Sequence, residues 1–325
     1  MKRSMWFLIV LAIVAGACSG DGDSATTTAA ETSTTTEIET TTPGPATTTV
    51  AGATESTLGP FGLEPGTVTA GVLLIDGVVR DYLVAVPPDY SPDVPAPVIF
   101  DLHGRGGTAA GQAMTSHITV PAWARGFVVV HPQAGGDAAG WPTWPDSVER
   151  EEEVVFFQMM IDTLAGDLAI DLDRVFVTGF SNGGGMAARL ACEMAGQIAG
   201  VAPVGASNEG WTECEPSEPV PVMAFHGLAD DVVFFNGGQA LLPALPEWAG
   251  WWADANGCET DAVPAEMTTG LFWHWAVCDE EATVSLIALY GIGHEWPTEV
   301  QTVLDTGELV LLGATEIIVD FFAGL

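Results

Sequence analysis

Between residues 67 and 87, apolar and polar positions alternate in two stretches, "TVTAGVLLI" and "VVRDYLVAVP", on either side of Asp76-Gly77. A period of two marks strands with one buried face, and Asp-Gly between two such strands marks a tight hairpin. Further along, the alternation gives way to short, nearly continuous apolar runs: "PVIFDLHG", "GFVVVHP", "RVFVTGF", "VAPVGA", "VPVMAFHG" and "TVSLIALYG". Runs of this length suit parallel strands buried on both faces. The segments between them have helical period. One, "EEEVVFFQMMIDTLAGDLA" from Glu151 to Ala169, carries acids in its first turn, where the helix dipole favours them; another, "GGMAARLACEMAGQ", follows Ser181 directly. The pattern predicts an α/β fold: a mostly parallel central sheet with an antiparallel N-terminal hairpin and helices on both faces. With no internal repeat and no second break in composition, residues 58–325 read as one domain.

Ahead of that domain the pattern changes twice. "MKR" and then "MWFLIVLAIVAGA" form the basic and short apolar regions of a signal peptide over residues 1–17, too short to span a bilayer. "AGA" before Cys18 satisfies both an ordinary cleavage rule and a loose lipoprotein box. The cysteine count favours the second: with Cys18 lipidated, Cys192, Cys214, Cys258 and Cys278 remain, an even set suited to two disulfides outside the cell. Residues 18–57 are rich in Thr, Ala and Glu and poor in large apolar side chains, the composition of a disordered tether. The expected localisation is therefore secreted and held to the outside of the membrane by a lipid anchor alone.

Charge narrows the partners. Of the 8 basic residues Lys2 and Arg3 lie in the signal, which leaves Arg80, Arg105, Arg125, Arg150, Arg174 and Arg189 against 43 acids and a net charge of -35. Nucleic acid is excluded by simple repulsion, and anionic lipid head groups are poor partners.

The candidate chemistry centres on "TGFSNGGGMA", residues 178–187. A phosphate loop needs a lysine after its last glycine, and a dinucleotide fingerprint needs a glycine where Ala188 stands. The pattern that fits is G-x-S-x-G, Gly179 to Gly183, after a strand and before a helix: a sharp elbow that presents the Ser181 hydroxyl at the C-terminal edge of the sheet. A serine hydroxyl needs a base to take its proton and an acid to orient that base. The expected order is serine, acid, histidine. "VPVMAFHGLADDVV" supplies Asp230 or Asp231 in the loop beyond a strand, and "TVSLIALYGIGHEWP" supplies His294 in a glycine-flanked loop. His103, His131 and His226 also end apolar runs and read as hydrogen-bonded structural residues.

An oxyanion needs backbone donors. Asn182 N–H follows the candidate nucleophile, and "DLHGRGG" offers Arg105 or Gly106. The Arg105 guanidinium has two other readings, binding a substrate carboxylate or pairing with a neighbouring acid. Trp296, Trp141 and Trp144 are candidate aromatic walls for a substrate, with core packing as the competing reading. No metal is expected, since neither H-E-x-x-H nor C-x-x-C occurs, and no cofactor is required.

Taken together, "DLHGRGG", "EVVFFQMMIDTLAGDLAIDLDRVFVTGFSNGGGMAARLAC", "FHGLADDVVFFNGG" and "GIGHEWP" resemble the secreted esterases grouped with poly(3-hydroxybutyrate) depolymerases and feruloyl or acetylxylan esterases. The resemblance covers nearly all of the domain and implies an α/β-hydrolase fold. It implies Ser181, Asp230 rather than Asp231, and His294 as a catalytic triad, and pairs Cys192 with Cys214 and Cys258 with Cys278. Asp231 stands where the family commonly has proline, and Phe234-Phe235 replaces a usual Pro-Tyr. The function implied is hydrolysis of carboxylic esters through an acyl-enzyme, on hydroxyalkanoate oligomers or feruloyl or acetyl sugar esters. An acyltransferase using the same triad and a noncatalytic surface-binding lipoprotein are the alternatives.

Overall fold

The computed structural model describes residues 63–75, 78–135, 139–144, 147, 150–206, 214–238, 242–259, 262–303 and 309–325. The expected signal peptide (1–17), Cys18 with the tether (18–57), the first residues of the domain (58–62) and the Asp76-Gly77 turn lie outside these residues. Strands β1 (Thr67–Ile75) and β2 (Val78–Val86) pair antiparallel, with Ile75 opposite Val78 across the hairpin.

The six apolar runs become β3 (Ala96–Leu102), β4 (Val128–Pro132), β5 (Ile170–Phe180), β6 (Gly200–Val204), β7 (Val222–Gly227) and, after the edge strands β8 (Ala265–Met267) and β9 (Gly270–Trp275), β10 (Val284–Leu289). They lie in the order β4-β3-β5-β6-β7-β10, and every neighbouring pair within that order is parallel. The hairpin joins one edge through β2 against β4, and β9 and β8 extend the other edge antiparallel, giving ten strands in all. Strands β11 (Val300–Val303) and β12 (Leu309–Leu312) form a separate antiparallel pair.

Helices α1 (Ala109–Ser116), α2 (Thr119–Trp123), α3 (Arg150–Asp167), α4 (Asn182–Glu193), α5 (Leu245–Ala255) and α6 (Ala314–Gly324) connect and cover the strands. The alternation of strand side chains divides the core in two. Val98, Phe100 and Leu102 of β3 face the layer of α3, α4 and α5, with Phe156, Phe157, Leu190, Trp248 and Trp252. Ile99 faces the other way, toward Ile118 and Ala122 near α2 and Ile318 and Phe322 of α6. Phe322 stacks on Phe176 with ring centroids 4.7 Å apart. Each such fully buried side chain contributes about 1.5–3 kcal/mol. Disulfides join Cys192 to Cys214 and Cys258 to Cys278, the pairing implied by the family resemblance. Among the described residues no helix is long and apolar enough to cross a membrane.

At the junction of β5 and α4 backbone packs closely on backbone. Ser181 has φ 54° and ψ -119°, a strained conformation for a residue with a Cβ. A Cβ on Gly183 would lie 2.2 Å from the Leu102 carbonyl oxygen, and one on Gly179 would lie 2.7 Å from the Gly183 backbone. Both contacts are with backbone, so no rotamer change relieves them. Gly183→Ala is expected to destabilise the protein by roughly 1–3 kcal/mol or more. A melting temperature equal to that of the wild type would contradict this packing.

Candidate active site

Ser181 enters from β5, Asp230 from the loop after β7 and His294 from the loop after β10. Although 113 and 64 residues separate the partners, the parallel sheet brings all three loops to the same edge: His294 Nε2 lies 2.9 Å from Ser181 Oγ, and His294 Nδ1 lies 2.8 Å from Asp230 Oδ2. The arrangement fits one tautomer, in which Nδ1–H donates to the carboxylate and Nε2 accepts the serine proton. Asp230 is in turn held through Oδ1, which accepts the N–H of Val232 at 2.9 Å and of Val233 at 2.8 Å. Burial pushes the Asp230 carboxyl up, but hydrogen bonds from His294 and from the Val233 and Val232 N–H groups outweigh it. The net effect keeps its pKa below the ordinary value. Asp231, the other candidate left by its neighbourhood, is exposed to solvent.

The acid and histidine loops cross closely. Leu228 N–H donates to Leu289 O, Ala229 N–H donates to Ile292 O, and a Cβ on Gly227 would lie 2.2 Å from that same Ile292 oxygen. Glycine at 227 is therefore what lets the two loops cross at hydrogen-bonding distance.

Two neighbours were not singled out for this role by sequence. His226 donates its Nε2–H to Val233 O at 2.8 Å and lies 3.4 Å from Asp230 Oδ2, closing the acid loop from behind. Its place at the end of an apolar run signalled a structural histidine, and only the fold puts it behind the carboxylate. Phe180 packs its ring on the His294 imidazole with centroids 4.8 Å apart. Three of the remaining histidines make structural hydrogen bonds, His103 to Gly104 O and Ala134 N, His131 to Thr119 Oγ1 beside buried Asp101, and His274 to Ser285 Oγ, while His117 is exposed at the C-terminal end of α1.

The candidate oxyanion donors separate on their bonding. Asn182 N–H opens α4 with no partner among the described residues, and Arg105 N–H likewise has none. Gly106 is a correction: its N–H is already donated to Ala139 O at 3.0 Å. The Asn182 side chain accepts from Trp141 N–H at 2.7 Å and donates to Trp141 O at 3.0 Å, so it pins the loop 139–144 beside the elbow. Trp141 Nε1–H donates to His103 O, which ties that loop to the one carrying Arg105.

The expected aromatic walls also need correction. Trp141 is 1% exposed and Trp296 7%, their rings spent on packing and their indole N–H groups on His103 O and on Thr315 Oγ1 of α6. Trp144, at 37%, is the one of the three that presents its ring to solvent. The expected pairing of the Arg105 guanidinium with a neighbouring acid is absent among the described residues. No group of His, Cys, Asp and Glu among the described residues is placed to hold a metal ion.

A parallel sheet with an antiparallel hairpin at one edge, helices on both faces and a strained serine between strand and helix defines an α/β-hydrolase. No family model matches the chain. Among curated proteins it is 32% identical to "Feruloyl esterase C" of Emericella nidulans over 212 residues, 63% of this chain and 72% of the relative. It is 30% identical to "Putative esterase NocK" of Nocardia uniformis subsp. tsuyamanensis over 259 residues, 71% of this chain and 74% of the relative. A solved acetyl xylan esterase from Aspergillus awamori shares the fold, with a TM-score of 0.57 at 16% identity over 71% of this chain and 94% of that one. The chain belongs to the esterase family of these two curated relatives.

His226, His103 and His274 all have pKa values lowered from the ordinary 6.5, chiefly by burial. As pH falls through 6.5 the unfolded chain takes up these protons first, so their contribution to stability, full above 6.5, is lost toward the folded-state values. His226→Gln keeps a donor for Val233 O and removes one titration. The difference in melting temperature between wild type and this variant should therefore shrink as pH falls from 7 to 5. His226→Ala instead leaves a buried carbonyl unpaired and should cost roughly 1–3 kcal/mol at neutral pH. A wild-type-to-Gln difference that does not change with pH would contradict the assignment.

Proposed function

We propose that this protein is an extracellular serine esterase that cleaves carboxylic esters through an acyl-enzyme. The observation that carries the reading is the unbroken hydrogen-bond line from Ser181 Oγ through His294 to Asp230. Ser181 Oγ attacks the ester carbonyl while His294 Nε2 takes its proton, and the imidazolium so formed is stabilised by the buried Asp230 carboxylate. The tetrahedral oxygen is held by Asn182 N–H and Arg105 N–H, two donors with no partner among the described residues. His294 then passes its proton to the departing alkoxide. Water, deprotonated by the same imidazole, releases the acid and restores the serine.

The substrate class follows the relatives: feruloyl or acetyl esters of sugars, with hydroxyalkanoate oligomers as the further member of the class. The exposed rings of Trp144 and Phe234, 37% and 45% accessible, support a site that grips an apolar or aromatic group from the rim. In this reading residues 1–17 are the export signal and a lipid on Cys18 fixes the chain to the outer face of the membrane. Residues 18–57 are the tether, and 58–325 are the catalytic domain. The two disulfides fit that oxidising location.

The test is turnover of a short-chain chromogenic ester alongside labelling by a serine-reactive phosphonate. Ser181→Ala is expected to lower kcat by at least about 10³-fold and to abolish the label. Equal turnover or equal labelling of the two proteins would overturn the reading.

A further inference from the structure

We infer that the Arg105 guanidinium is a recognition site for a carboxylate on the substrate, so that the preferred ester is an anionic one. The inference rests on the esterase reading and names a substrate class for it. In a chain of net charge -35, free cationic groups are scarce. Arg80 pairs with Glu153, Arg125 with Asp320, Arg174 with Asp171 and Arg189 with Glu193. Arg105 has neither an ion pair nor a side-chain hydrogen bond among the described residues, although acids outnumber bases fivefold by count, 43 to 8. With no partner among the described residues, the Arg105 guanidinium is available to a ligand.

Its position gives that availability a use. Arg105 follows Gly104, whose Cα packs so closely on the elbow that a Cβ there would lie 3.3 Å from Ser181 Cβ. The side chain runs over Gly140: a Cβ on that glycine would lie 3.5 Å from both Cγ and Nη1 of Arg105 and 3.4 Å from Asn182 Oδ1. The guanidinium thus stands at the rim between the two candidate oxyanion donors and the loop 139–144. That loop is fixed by the Asn182 bonds, by Trp141 Nε1–H to His103 O, and by Arg189 Nη1–H to Pro142 O at 2.7 Å. The exposed guanidinium lies over Gly140 in van der Waals contact, and its planar fork carries two parallel N–H donors, the geometry that matches a carboxylate. It also offsets locally the repulsion that the rest of the protein imposes on an anionic ester.

The experiment uses the full chain as wild type, Arg105→Gln and Arg105→Lys, substitutions that keep the backbone N–H. Two pairs of esters separate the two places a carboxylate can sit. 4-Nitrophenyl hydrogen adipate and its methyl-capped counterpart place it on the acyl side, and 4-acetoxybenzoate and its methyl ester place it on the alcohol side. In at least one pair, Arg105→Gln is expected to lower the ratio of kcat/KM for the anionic ester to that for the capped ester about tenfold, with Arg105→Lys between the two. Ratios unchanged in both pairs overturn the inference. Binding of the same anionic esters to Ser181→Ala, measured calorimetrically with and without Arg105→Gln, reports the arginine without turnover. Failure of wild type to cleave any of the esters sinks the esterase reading, while about tenfold weaker binding in the double variant still supports carboxylate recognition and equal binding overturns it.

Discussion

Ser181 is held at φ 54° by a junction that has no room for side chains: the Gly183 Cα sits against the Leu102 carbonyl, and the Gly179 Cα against the Gly183 backbone. Three elements, β3, β5 and α4, therefore meet at one point with backbone on backbone. The parallel pairing of β3 with β5 sets the distance between Leu102 and Gly179, and the buried alternation of both strands keeps that pairing in register. The strain at the serine costs of order 1–3 kcal/mol, and the two core layers offset it. What the strain produces is position: a hydroxyl lifted clear of the sheet and, beside it, a first helical N–H with no partner among the described residues.

The same device recurs at the second junction. Gly227 lacks the Cβ that would strike Ile292 O, so the acid and histidine loops cross where their backbones hydrogen-bond. Asp230 is then fixed by Val232 and Val233, His226 fixes Val233, and Trp296 ties the histidine loop to α6 through Thr315. Each group that faces the serine is thus held by others that do not. A chain of this kind keeps donor and acceptor at 2.8 and 2.9 Å without relying on the ligand to order them.

Much of this was legible in the residues themselves. The six buried runs read as parallel strands because apolar runs of about six residues are short for a helix and suit strands buried on both faces, and the glycines around Ser181 read as an elbow because a serine between strand and helix requires them. Asp230 and Asp231 were indistinguishable locally, since both follow the same strand by a few residues; family resemblance chose between them, and the fold places Asp230 on His294. Of the candidate aromatic walls, Trp141 is buried because the loop 139–144 folds inward onto Asn182 and His103, and Trp296 because it packs in the second core layer with its indole on Thr315 of α6. Gly106 misled for a related reason: a glycine permits close approach, but only the turn geometry shows that its N–H is already taken. The edge strands β8 and β9 were hidden in a hydrophobic stretch between cysteines, and α6, whose Phe322 stacks on the sheet, carried no capping residue to announce it.

The central claim is that an acyl group passes through Ser181. Rapid-quench mixing of the protein with excess 4-nitrophenyl acetate, followed by peptide mass analysis, tests it most directly. The account predicts release of one enzyme equivalent of nitrophenol ahead of the steady state, under cool and mildly acidic conditions that slow deacylation, with an acetyl group on the peptide that carries Ser181. Hydrolysis that proceeds from the first millisecond at its steady rate, with no acetyl on Ser181 under those conditions, would contradict it.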